Sequence, residues 1–247
     1  MKILLTNDDG YEAAGINILF EVFKKYFDVY LVAPDTEQSG CSNAFTIHRD
    51  MKLKKISDRK FFLSGYPADC TNIVLHGDFI PKVDFVVSGI NHGPNMGDDI
   101  FFSGTVAGAR TAYIFDKPGI SLSISSHNPK EQYFGEFAEF AAKYIIENCS
   151  VGMKPIFLNI NYPHIPKEEI KGIKYTNHCR RKYYDSYHIT DETETELTFK
   201  LQGTVDSIGN EETDYSVVKN GYISITPISI DCTDYVKLKE LKENEKK

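Results

Sequence analysis

Apolar and polar positions fall in blocks along this chain, and the blocks switch period. Residues 2–6 are a short continuous apolar run ending at Asn7-Asp8-Asp9-Gly10. That pattern predicts a strand buried on both faces, followed by a polar turn. Ile16, Leu19, Phe20, Phe23 and Phe27 recur at helical spacing, with Glu21, Lys24 and Lys25 on the other side. Residues 29–33 repeat the strand pattern and stop at Pro34. Strand, helix, strand in that order is a parallel crossover unit.

The alternation continues. Residues 46–63 are β-branched and charged in places, which suits a hairpin. Pro67-Ala68-Asp69 opens a short helix through Leu75, with proline in its first turn and the aspartate near its positive end. Residues 83–87 predict another buried strand, running into a Gly- and Asn-rich loop over 88–95. A helix over 106–115, a strand over 119–125, an amphipathic helix over 131–146 and a strand over 156–160 follow. This is an α/β pattern, a doubly wound and mostly parallel sheet through about Pro163. Beyond it the texture changes. Residues 194–201 and 222–230 alternate like strands, residues 206–214 are acidic and turn-rich, and residues 237–247 are a charged helical run. The expected organisation is a core over 1–163 and a β-rich extension over 164–247. That extension carries a hairpin or arm and a C-terminal helix, packed on the core or swapped between subunits.

Composition narrows the function classes. The chain has 247 residues, with Lys+Arg 28 and Asp+Glu 35, so 28 − 35 gives a net charge of −7. Acidity of this kind argues against nucleic-acid binding, which depends on clustered lysine and arginine. It leaves anionic small substrates open, because a metal ion or a helix N-terminus can supply local positive potential. The five cysteines are scattered and hold no CxxC, which predicts free thiols in a reducing compartment. No run approaches the roughly 20 apolar residues of a membrane span. The start MKILLTNDDG lacks the pattern of a secretory leader. A cytoplasmic location away from membranes is the expectation.

Candidate chemistry sits where strands end. In open α/β sheets, ligands bind beyond the carboxyl ends of the strands. The first strand delivers Asn7, Asp8 and Asp9, the second is followed by Ser39 and Asn43, and the third delivers Ser88, Asn91 and Asn95. Taken singly these are ordinary turn-formers. Together they make a hard-oxygen set that suits Mg²⁺, Mn²⁺ or Ca²⁺ and does not select zinc. Ser103-Gly104-Thr105 precedes a predicted helix, where hydroxyls can cap and free N–H groups can hold a phosphate. No GxxxxGK[ST], no GxGxxG after the first strand and no GxSxG occurs. The run Arg180-Arg181-Lys182-Tyr183-Tyr184 could touch a phosphate or a base, though a solvated loop or subunit contact is the simpler reading.

These motifs resemble one known family. Ile3-Leu4-Leu5-Thr6-Asn7-Asp8-Asp9-Gly10, Val32-Ala33-Pro34-Asp35 with Ser39-Gly40, and the long block from Val87-Ser88-Gly89-Ile90-Asn91 to Ser103-Gly104-Thr105-Val106 are similar to the survival protein SurE family. Leu158-Asn159-Ile160-Asn161-Tyr162-Pro163 and Gly221-Tyr222-Ile223-Ser224-Ile225-Thr226-Pro227 fit the same family in order. The resemblance implies a Rossmann-like core and a C-terminal arm building a homodimer or homotetramer. It also implies a divalent-metal-dependent phosphatase acting on nucleoside 5′- and 3′-monophosphates, with short polyphosphate as a further substrate. Position by position, it implies Asp8, Asp9, Ser39 and Asn91 as ligands of one divalent cation, and Asn95, Ser103, Gly104 and Thr105 as the phosphate cradle. Asp8, Asp9 and Asn95 are then the catalytic candidates. Gly65-Tyr66-Pro67-Ala68-Asp69-Cys70 departs from the family's Gly-Thr-Pro, which makes Tyr66, with Asn43, a candidate for the substrate pocket. Two other classes remain open: a metal–nucleotide binding module without turnover, and a receiver-like signalling domain. A receiver needs a phosphoacceptor aspartate at the end of the third strand, where Ser88-Gly89 stands.

Overall fold

A computed structural model describes residues 1–126 and 133–245. The chain builds a nine-stranded sheet in the order β3-β4-β2-β1-β5-β6-β7-β11-β8. At its centre, β1 (Lys2–Thr6) lies parallel between β2 (Asp28–Pro34) and β5 (Phe85–His92). Outward from β5 run β6 (Gly119–Ser125) and β7 (Phe157–Pro163), both parallel. Outward from β2 run β4 (Lys60–Leu63), parallel, and β3 (Leu53–Ser57), antiparallel to β4.

The central strands are apolar on both faces because both faces are covered. Ile3, Leu5, Val29, Leu31, Phe85 and Val87 pack under α1 (Ala14–Phe23) and α4 (Phe134–Asn148). Leu4, Tyr30, Val32 and Val86 point the other way, in one apolar cluster with Cys70 and Val74 of α2 (Pro67–His76) and Ala112 of α3 (Gly104–Ile114). The strand order reverses between β1 and β5, since β1 is followed by β2 on one side while β5 lies on the other. The carboxyl ends of these two strands therefore border the crevice where ligands of such sheets bind.

The predicted α/β pattern is present, with three differences that matter. First, β5 runs on to His92, so Ser88 and Asn91 stand in a strand and not in a loop. Its pairing with β6 shifts register between Ser88 and Asn91, an irregularity that the Gly/Asn-rich composition disguised as a loop. Second, the basic run is no loop. Arg180–Glu192 forms β9, paired antiparallel with β10 (Leu197–Ile208) in a separate two-stranded sheet. Nearly every residue of both strands is exposed, so no half-buried alternation marks β9 in the sequence. Third, the acidic stretch 206–214 yields the end of β10 and the start of a short helix, α5 (Asp214–Lys219). The chain beyond Pro163 also returns to the main sheet, where β11 (Ile223–Pro227) pairs antiparallel with β7 and parallel with β8 (Ile173–Tyr175). The tail forms α6 (Tyr235–Asn244), on which no residue is buried. Residues 131 and 132, expected to open the long helix, lie outside the described residues.

The α1 helix rests directly on β5. A Cβ at Gly15 would stand 2.1 Å from the Ile90 carbonyl oxygen, so only glycine fits at this crossing. Gly15→Ala is expected to destabilise the protein by about 2 kcal/mol through forced separation of helix and strand, measured by urea denaturation.

Candidate active site

The crevice at the β1 and β5 ends holds a cavity of about 220 Å³ lined by Asp8, Ser39, Asn91, Asn95 and Ser103, with Asp99, Phe102 and Tyr183 at its side. Five of the residues singled out from sequence thus meet in one cavity. Asp9 follows Asp8 directly; its carboxylate accepts from the His92 N–H at 3.4 Å and lies 3.7 Å from His92 Nδ1. Asn43 and Tyr66 do not line the cavity. Tyr66 instead caps α2, its N–H donating to Asp69 at 2.9 Å.

The centre of the arrangement is Asp8, 4% exposed, against the first turn of α3. The Thr105 hydroxyl donates to Asp8 Oδ1 and lies 3.2 Å from Asn91 Oδ1. The Thr105 backbone N–H also favours the ionised Asp8. This changes one expected role: the Thr105 hydroxyl is directed to Asp8 rather than left for a phosphate. Gly104 makes the approach possible, because a Cβ there would lie 2.8 Å from Asp8 Cβ and 2.7 Å from Cys41 Sγ. Ser103 caps the helix, its Oγ accepting from the Val106 N–H at 3.1 Å, and its own O–H remains a donor.

The surrounding loops are tied to the same point. Gln38 N–H donates to the Asp8 carbonyl at 2.7 Å, and Ser42 N–H to the Phe102 carbonyl at 2.8 Å, which holds the Ser39 loop over the cavity. Ser39 itself is exposed at the rim and donates to Glu37 at 2.8 Å. Asn95 is buried and locked from several sides. Its N–H donates to Asn161 (3.0 Å), its amide to Ser123 (2.8 Å), and its carbonyl accepts from Asn159 (2.7 Å) and Asn161 (2.9 Å). One amide hydrogen of Asn95 is left to donate.

Burial pushes the carboxyls of both Asp8 and Asp9 up to about 6. For Asp8 the Thr105 hydrogen bonds oppose the rise and the Asp9 charge adds to it. For Asp9 the His92 N–H opposes it and Glu37 adds to it. Among the described residues, no lysine or arginine forms an ion pair with either one, and no group of three His, Cys, Asp or Glu side chains is gathered to hold a metal. The donors present are two carboxylates with amide and hydroxyl oxygens. Asn7 Oδ1, one residue before them, is buried with no hydrogen-bond partner among the described residues. Adjacent, desolvated carboxylates without a lysine or arginine partner, among amide and hydroxyl oxygens, fit a hard divalent cation.

The profile of the family described as "Survival protein SurE" matches residues 3–185. The chain belongs to the survival protein SurE family. It is 37% identical over 248 residues to the 5′-nucleotidase SurE of Desulfitobacterium hafniense, covering 99% of this chain and 97% of that one. It is 39% identical over 246 residues to the 5′-nucleotidase SurE of Leptospira interrogans, covering 99% and 98%. The crystal structure of the SurE protein from Aquifex aeolicus superposes with a TM-score of 0.83 at 35% identity, covering 99% of this chain and 100% of that one.

The sequence did not single out Asp99 and Phe102, and it marked Tyr183 only as part of a basic run that could touch a phosphate or a base. Tyr183 comes from the β9–β10 hairpin, its hydroxyl donating to Asp99. Arg181 of the same strand pairs with Asp99 at 3.2 Å, and its N–H donates to Asp98 at 2.8 Å. A second tie, buried Asp214, accepts from the N–H groups of Gly97 (2.8 Å) and Cys179 (3.0 Å) and contacts His178 Nδ1 at 3.1 Å. Burial alone would raise the Asp214 carboxyl, but these partners hold it below its ordinary value. The cysteine thiols are free, and burial, with the Asp8 charge adding, pushes Cys41 up to about 11, so it is no thiolate nucleophile.

The raised Asp8 value has a measurable consequence. Its ordinary value is 3.8 and its folded value is about 6. Stability from this group is therefore complete below about pH 4 and is lost as pH rises through about 6. Asn cannot ionise, so in EDTA the stability advantage of Asp8→Asn over wild type should grow by about 2 kcal/mol between about pH 4 and about pH 7. Paired urea titrations across that range check it; a pH-independent difference contradicts it.

Proposed function

We propose that this chain is a 5′-nucleotidase that hydrolyses nucleoside 5′- and 3′-monophosphates to nucleoside and phosphate, using one divalent cation per subunit. The observation that carries the reading is the position of the Asp8–Asp9 pair against the N-terminus of α3, at the sheet's topological switch point, in a family whose relatives are 5′-nucleotidases. Asp8, Asp9, Ser39 and Asn91 are the residues to hold the cation. A bound Mg²⁺, Mn²⁺ or Ca²⁺ would supply neutralisation of phosphoryl charge and a lowered pKa for coordinated water.

The chain's own groups do the rest. The Gly104 N–H, at the positive end of α3, together with the Ser103 hydroxyl and the remaining Asn95 hydrogen, holds the phosphoryl oxygens. Asn95 orients without rearrangement because its backbone and its other hydrogen are already engaged. Asp9 is the less buried carboxylate, and it holds or takes a proton of the attacking water. Water oxygen bonds to phosphorus, the bond from phosphorus to the ester oxygen breaks, and the released alkoxide takes a proton from solvent. Asp8 is tied to Thr105 and stays fixed. The cavity grips the phosphate alone, so attachment at the 5′ or the 3′ oxygen is tolerated.

The same reading extends to assembly. We divide the chain into a catalytic core over 1–163 and an extension over 164–247 that joins subunits into a homodimer or homotetramer. Exposed Tyr187, Ile189, Phe199 and Leu201 on the hairpin support this. Free thiols suit a cytoplasmic location, and no helix among the described residues is long and apolar enough to cross a membrane.

With saturating Mn²⁺ or Mg²⁺, Asp9→Asn should lower phosphate release from a nucleoside monophosphate by about 100-fold or more. EDTA should abolish wild-type turnover, and re-added cation should restore it. Wild-type turnover by the variant would sink the assignment, and binding without any phosphate release would favour a non-catalytic nucleotide module.

A further inference from the structure

We propose that the cleft between the β9–β10 hairpin and the segment leading into α3 is the nucleoside subsite, with Tyr183 and Phe102 as the platform on which the base stacks. This rests on the phosphomonoesterase reading above and adds to it the residues that recognise the leaving group.

The cavity at Asp8 and Asn91 measures about 220 Å³. Pockets that enclose small ligands span about 300–1,000 Å³, so this one takes the phosphate but not a whole nucleotide. A second cavity of about 670 Å³ lies alongside, and the two share Gly40, Phe102 and Tyr183. The nucleoside of a substrate whose phosphate sits at Asp8 has that space to enter.

The lining chemistry suits a nucleoside. Beyond the shared residues the larger cavity is walled by the hairpin, including Leu201, Gln202 and Val205, and its one charged lining residue is Asp185. A second anionic group would be repelled there, whereas a flat, neutral, partly apolar moiety is not. Gln202 brings an amide that can both donate to and accept from a base edge.

The rings fix the mode of contact. Phe102 and Tyr183 stand edge to face, with centroids 6.4 Å apart and planes at 90°. Perpendicular rings cannot sandwich a base; they offer one face for stacking and one edge beside it. Tyr183 is also held in place, its hydroxyl donating to Asp99 and its strand anchored through Arg181 to Asp98 and Asp99. The hairpin thus contributes to the site as well as extending from it.

The test compares kcat/KM for adenosine 5′-monophosphate and for glycerol 2-phosphate in full-length wild type, Phe102→Leu, Tyr183→Leu and Tyr183→Phe. The ratio of the two constants should fall about 10-fold or more in each leucine variant and hold in Tyr183→Phe. An unchanged ratio, or equal loss on both substrates, overturns the proposal. A second measurement needs no turnover. The chain contains no tryptophan, so Tyr183→Trp creates a single reporter at the platform. Adenosine should quench its fluorescence and ribose 5-phosphate at equal concentration should not; no quenching, or an equal response, overturns the proposal. Failure of wild type to hydrolyse either ester would overturn the phosphatase reading instead, leaving the fluorescence result to decide the subsite.

Discussion

The Thr105 hydroxyl donates to a carboxylate, Asp8, that is almost wholly out of water, and this contact draws the end of β1, the start of α3 and Asn91 of β5 to one point. It needs a helix terminus with no side chain at its first position, which is why Gly104 stands there. It also needs the central sheet, since β1 and β5 must be neighbours in register, Thr6 beside Ser88, for their ends to converge. An ionised Asp8 beside Asp9 is unfavourable in so dry a place. Hydrogen bonds from Thr105 and the positive end of α3 oppose that cost, and the cation proposed above would offset the rest.

Around that point the fold brings parts from separate stretches of the chain. The loop after β2 is tied down by hydrogen bonds to Asp8 and Phe102. The Asn95 loop is fixed by Ser123, Asn159 and Asn161 of β6 and β7. The hairpin then reaches back through Arg181 and Tyr183 to Asp98 and Asp99. Acidic residues thus serve two purposes: Asp8 and Asp9 are the proposed cation ligands, while Asp98, Asp99 and Asp214 hold the extension against the core. The net charge of −7 therefore describes the mouth of the candidate site poorly.

The sheet was legible because its central strands are apolar on both faces, as Ile3, Leu4 and Leu5 illustrate, and because α1 repeats at helical spacing. Asp8, Ser39, Asn91, Asn95 and Ser103 could be found from sequence since each lies close to the end of a strand or the start of a helix. Two things were not legible. The extent of β5 was hidden because a register shift lets glycine- and asparagine-rich sequence remain in a strand. The meeting of Tyr183 with Phe102 was hidden because it depends on β9, which buries neither face and leaves no half-buried alternation to read, although residues 194–201 of its partner strand did alternate. The role of the Thr105 hydroxyl was also beyond local pattern, because it is decided by Asp8, which lies 97 positions away in the chain.

The carboxylates of Asp8 and Asp9, with Asn91 and Ser39, are proposed above as the cation site of a phosphomonoesterase. Anomalous diffraction from crystals soaked in Mn²⁺ tests this most directly. One strong peak per chain is expected, in contact with the Asp8 and Asp9 carboxylates and the Asn91 amide oxygen. A crystal that binds Mn²⁺ elsewhere, with no peak at these residues, would contradict it.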